Sequence, residues 1–81
     1  MNMKPLSALR DNTRARVLEI QPGSLAPRLV EMGFCKGNEV RVLYRAPFDG
    51  PLVVCLGPSS VALRLNEAEL IWVEEIIGEE A

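Results

Sequence analysis

The chain has 81 residues, nine Lys/Arg against eleven Asp/Glu, no histidine and a formal net charge of −2. A chain of this length supports one domain, whose folding removes only about 60–65 % of the unfolded surface from water. The acidic balance excludes a non-specific nucleic-acid binder, which must neutralise phosphates, and the missing histidine removes the commonest general acid–base group.

The charge is unevenly spread: residues 1–45 carry eight basic against four acidic side chains, and residues 46–81 one against seven. Neighbouring strands can pair these charges across a compact surface, or the polarity can steer a charged partner. Met1-Asn2-Met3-Lys4-Pro5 lacks the apolar core of a signal peptide. No apolar run approaches the roughly 20 residues that span a bilayer. A cytoplasmic protein is expected, without membrane insertion and with Cys35 and Cys55 as reduced thiols.

Along the chain, Leu6 and Leu9 lie three apart with Ser7 as a cap, enough for one helical turn. Asn12 tolerates the left-handed backbone of a turn into a first strand over 13–21, whose arginines face outward. Pro22-Gly23-Ser24 ends it, and Ser24 is read as the N-cap of a two-turn helix with Pro27 in its first turn. Leu25, Leu29 and Met32 form one apolar stripe, and Gly33 stands where a left-handed C-terminal cap needs no Cβ. Phe34 packs back on the last turn.

Over 39–46, Val40, Val42 and Tyr44 alternate with Glu39, Arg41 and Arg45, while Leu43 breaks the polar side. Pro47-Phe48-Asp49-Gly50-Pro51 is a hairpin loop in which Asp-Gly is expected to supply the positive φ values. The run 52–56 is apolar on both faces, so something covers its second face. After the turn Gly57-Pro58-Ser59-Ser60, a strand follows over 61–65. Asn66 and Glu69 have capping-box spacing for a short helical turn over 66–70. A last strand covers 71–73, and 76–81 form an acidic tail. The fold class is mainly β: a small barrel of about five strands with a short helical insertion after the first, in a single domain over 1–75.

Catalytic chemistry finds no set of residues here. Cys35 has only Lys36 beside it, and Cys55 sits in an apolar strand, so neither thiol has a base to activate it. The glycines stand singly at turns, so no phosphate cradle exists. Two isolated thiols do not make a zinc or iron site. Glu67, Glu69, Glu74 and Glu75 are the nearest carboxylate cluster, read as a cap and solvated charges. No catalytic residue, cofactor-binding residue or metal ligand is assigned.

The stretch Arg28-Leu29-Val30-Glu31-Met32-Gly33-Phe34-Cys35-Lys36-Gly37-Asn38-Glu39-Val40 resembles the signature of the FeoA (ferrous iron transport protein A) family. The resemblance continues through Arg45-Ala46-Pro47-Phe48-Asp49-Gly50-Pro51, Ala62-Leu63-Arg64 and Glu67-Ala68, covering roughly residues 5–75 in order. Asn12 replaces a frequent glycine, Lys36 a frequent proline, and Gly57-Pro58-Ser59-Ser60 departs from the pattern. The resemblance implies an SH3-like barrel and a cytosolic component of bacterial ferrous iron uptake. Its partner would be a FeoB-like membrane transporter with a GTPase domain, and weak transition-metal association is implied by the family alone. Similar domains form the C-terminal module of metal-dependent repressors, so a metal-responsive regulatory domain is the alternative.

For partner binding, Phe48 at the hairpin tip, Leu43, and Val53 and Cys55 on the second face of the apolar strand are the candidate apolar groups, with Arg45 at their charged rim. The doubly apolar strand over 52–56 pairs with its copy in a symmetric homodimer as readily as with a partner. Phe34, Tyr44, Phe48 and Trp72 are too scattered for a proline-recognising groove.

Overall fold

The computed structural model describes residues 3–77. The expected acidic tail lies outside the described residues beyond Ile77. Six strands form one antiparallel sheet: β1 (Met3–Pro5), β2 (Arg14–Ile20), β3 (Glu39–Arg45), β4 (Leu52–Leu56), β5 (Ser59–Leu63) and β6 (Ile71–Glu75). Their spatial order is β1-β6-β2-β3-β4-β5. A 3-10 turn covers Leu6–Ala8, and two short α-helices, α1 (Ala26–Met32) and α2 (Leu65–Ala68), complete the fold.

The mainly β expectation stands, with one strand more than the five read from sequence. Met-Lys-Pro carries no alternation, and β1 exists only because β6 offers it an edge. Pro5, without an N–H, is tolerated there because its other side needs no ladder bond. The helical insertion therefore follows the second strand. β1 and β5 are the two ends of the sheet, and the ladder does not close between them. Strands distant in that order nevertheless share one core: Leu63 of β5, Ile71 of β6, Val42 of β3 and Leu6 of the 3-10 turn are all fully buried in a single cluster. A sheet can do this only by bending around its inner face.

Helix α1 begins one residue later than its sequence signal. Leu25 is the N-cap, and Ser24 makes no side-chain cap bond; the Ala26 N–H donates instead to the Gly23 carbonyl at 3.2 Å. Pro27 occupies the first turn as expected. The C-terminus matches the sequence reading closely. Gly33 has φ 114°, its N–H donates to Val30 O at 3.0 Å, and the Phe34 N–H donates to Leu29 O at 3.1 Å. These are the two bonds of a Schellman motif, and Leu29 and Phe34, both fully buried, supply its apolar contact.

Two β-bulges decide which side chains face outward. In the β2–β6 pairing the register shifts between Val17 and Glu19, leaving Leu18 as the extra residue. In the β3–β4 pairing it shifts between Val42 and Tyr44, leaving Leu43 extra. An inserted residue moves everything after it to the opposite face. Simple alternation puts Tyr44 with Val40 and Val42 on the inner side and Arg45 outside; the bulge reverses both. Tyr44 is 53 % exposed, and Arg45 lies opposite the fully buried Leu52.

The short helix α2 also starts earlier than expected, with its cap displaced from Asn66 and Glu69. Glu67 Oε1 accepts the Arg64 N–H at 2.9 Å, and its Oε2 lies 3.5 Å from the Arg28 guanidinium. Glu67 is thereby buried and tied to α1, so it belongs to no metal-binding cluster. Glu75 pairs instead with Lys4 at 3.5 Å on the far edge.

Candidate interaction surface

The residues singled out from sequence separate into three groups. Val53 and Cys55 stand on the outer face of β4, since Leu52 and Val54 between and before them are fully buried. The register places Val53 beside Tyr44 of β3 and Ala62 of β5. It places Cys55 beside Arg41 and Ser60. Tyr44 is thus a member of this face that alternation misassigned; the adjacent apolar pair Val42-Leu43 was the one sequence sign of a bulge. Leu43 itself is half-buried at the bulge.

Phe48 forms the second group. It is 99 % exposed at the β3–β4 hairpin tip. Both Phe48 (φ 60°) and Asp49 (φ 56°) are left-handed, and the Gly50 N–H donates to Pro47 O at 3.2 Å, the pattern of a type I′ turn. The positive φ values therefore fall on Phe48-Asp49 and not on Asp-Gly as expected. Gly50 is required for space: a Cβ there would lie 2.7 Å from Ala46 Cβ and 3.0 Å from Pro47 O. A bulky aromatic in the left-handed region is a strained arrangement, costing about 1–2 kcal/mol by steric conflict of Cβ with the following carbonyl.

Arg45 is the third group and stands apart. Its guanidinium donates to the carbonyls of Ser7, at 2.5 Å, and Leu9, at 3.5 Å. It fastens the 3-10 segment to the end of β3 and does not rim the outer face. Nor is the doubly apolar β4 an edge: β3 and β5 hydrogen-bond to its two sides, so it has no free ladder for a copy.

At the opposite end of the outer face from Phe48 lies a groove of about 800 Å³. Arg14, Glu39, Arg41 and Cys55 line its sheet side, and Met32, Gly33 and Leu56 its apolar wall. Asn38 shapes one edge, its side-chain amide donating to Gly33 O at 2.9 Å.

A family model described as FeoA domain matches residues 4–75. The chain belongs to the FeoA family. Solved members repeat the fold described above. A FeoA-like protein from Clostridium acetobutylicum superposes with a TM-score of 0.88 at 26 % identity, covering 100 % of this chain and 95 % of that one. The zinc complex of Stenotrophomonas maltophilia FeoA is 39 % identical, with a TM-score of 0.77 over 86 % of this chain and 88 % of that one. That protein is described as a procaryotic SH3 domain protein and a candidate activating factor for bacterial ferrous iron transport. The SH3-like expectation is thereby met. A manganese-dependent transcriptional repressor also matches, with a TM-score of 0.85 at 25 % identity, covering 94 % of this chain but 38 % of that one. Comparison with curated proteins found no match.

The described residues do not fit a resident metal. Among the described residues no three Cys, Asp or Glu side chains gather closely enough to hold an ion, and there is no histidine to add. Cys35 and Cys55 are both free thiols. Among the described residues, too, no helix is long and apolar enough to cross a membrane.

Proposed function

We propose that this FeoA-family chain is a cytoplasmic, non-enzymatic accessory protein of ferrous iron uptake that docks on the cytosolic GTPase region of a FeoB-like membrane transporter. Ferrous iron is the transporter's cargo in this reading, not a ligand of the accessory chain. The observation that carries the docking surface is Phe48, a fully exposed aromatic held on a strained turn. Strain retained at an exposed aromatic points to a role outside the folded chain itself. Further along the same β3–β4 hairpin, Tyr44 and Val53 pair across the ladder on its outer face. An aromatic anchor backed by further apolar area has the make-up of an interface hot spot.

The test is an NMR titration of the labelled chain with the cytosolic GTPase region of its cognate transporter. Saturable shifts at Phe48, Tyr44 and Val53 are expected, and Phe48→Asp should abolish them while the remaining spectrum stays dispersed. Unaltered binding by that variant would sink the assignment. Structural likeness to manganese-dependent repressors favours a metal-responsive domain as the second reading. Stoichiometric, tight uptake of ferrous or zinc ions in equilibrium dialysis would promote it over the first.

A further inference from the structure

The groove at the other end of the outer face has a charge arrangement that the fold does not need. Register sets Arg14 of β2 directly opposite Arg41 of β3, and Arg41 opposite Cys55 of β4. Like charges directly opposite on a ladder are destabilising. Arg14 is relieved in part by Glu39, at 3.4 Å, but Arg41 has no acidic partner among the described residues. Two guanidinium groups and one carboxylate leave the groove cationic in a chain whose net charge is negative. Next to this pair the lining turns apolar at Met32 and Leu56. The wall is fixed in place: a Cβ on Gly33 would meet Leu56 Cδ1 at 3.4 Å, so the end of α1 already sits against β4.

We propose that this groove binds an extended acidic segment of a protein partner, with a carboxylate on the Arg14–Arg41 pair and a neighbouring apolar side chain against Met32 and Leu56. Charge complementarity selects the occupant. A carboxylate between the two arginines accepts hydrogen bonds from both and neutralises their repulsion; an amide oxygen accepts but brings no compensating charge, and an apolar side chain does neither. The groove, of about 800 Å³, is far larger than one small anion requires. The inference rests on the reading that this chain works by binding a protein, but it concerns a different surface from Phe48 and is tested without the transporter.

The probe is a capped hexapeptide with two adjacent glutamates flanked by leucines, titrated into the full labelled chain, with glutamines replacing the glutamates in the control. Saturable shifts at Arg14, Arg41, Cys55 and Leu56 are expected, weakening as salt is raised and absent with the control peptide. Arg41→Gln should weaken binding at least tenfold and raise the melting temperature of the free protein by a few degrees, because it removes the like-charge pair. A purely structural arginine would show the reverse sign in stability. No shifts at millimolar peptide, equal shifts with the glutamine peptide, or shifts confined to the Phe48 end would overturn the proposal. Binding that emerges only after residues 78–81 are deleted would also overturn it, by making the chain's own acidic end the occupant.

Discussion

Replacing Phe48 by asparagine isolates the strain at the hairpin tip from any contribution to packing. Phe48 is 99 % exposed, so truncating its ring returns almost no apolar area to water and forfeits no measurable burial. Its φ of 60° and that of Asp49, 56°, remain left-handed in the variant, because the backbone bonds from Gly50 N–H to Pro47 O (3.2 Å) and from Ala46 N–H to Pro51 O (2.9 Å) hold the turn closed. Asparagine tolerates that region, whereas a bulky side chain there costs about 1–2 kcal/mol. Phe48→Asn should therefore stabilise the chain by about 1 kcal/mol, which for a domain of this size raises the melting temperature by about 4–8 °C. Thermal melts followed by circular dichroism, together with urea titrations, measure this; the urea midpoint should rise with the m-value unchanged. Loss of stability in the variant would refute the reasoning, since it would require the Phe48 ring to pack against the folded chain in solution. The same variant should bind the transporter's GTPase region at least tenfold more weakly. Gain of stability combined with loss of binding is the signature of a residue retained for a partner.

Gly50→Ala should destabilise the chain by about 1–3 kcal/mol, as overpacking does, because the new methyl meets Ala46 Cβ at 2.7 Å; urea denaturation reads the loss. Arg45→Met keeps most of the side-chain stem but leaves the Ser7 and Leu9 carbonyls without their charged donor. A loss of about 1–2 kcal/mol is expected, with binding to the GTPase region unchanged; a binding defect larger than the stability loss would return Arg45 to the interface.

The lesson of the two bulges concerns where information about a surface resides. At Leu43 one extra residue exchanges the faces of Tyr44 and Arg45, and so converts an expected rim charge into an internal fastener. Val53 and Cys55 escape this error because β4 runs without a bulge and its alternation is intact. The Arg14–Arg41 pair was also out of reach. Both residues are individually legible as outward-facing, but their juxtaposition depends on the β2–β3 register. The cap of α2 lies two residues before its expected place: Glu67 Oε1 accepts the Arg64 N–H at 2.9 Å and its Oε2 lies 3.5 Å from Arg28 of α1, so Arg64 and Glu67 take the roles expected of Asn66 and Glu69.

Sequence alone determined the features that obey local sterics. Gly33 ends α1 because only a residue without a Cβ sits easily at φ 114°, and Asn12 turns the chain at φ 64° because its side chain tolerates that region. Those constraints act within a few residues, and the ordered motifs that mark the family are likewise read along the chain without knowing which strands meet. Tertiary structure alone decided the bulges, the existence of β1, the inward turn of Arg45 and the groove beside α1. Each depends on which strand or helix arrives opposite, and side-chain facing in a strand is set by that partner's register, which no single segment of the chain contains.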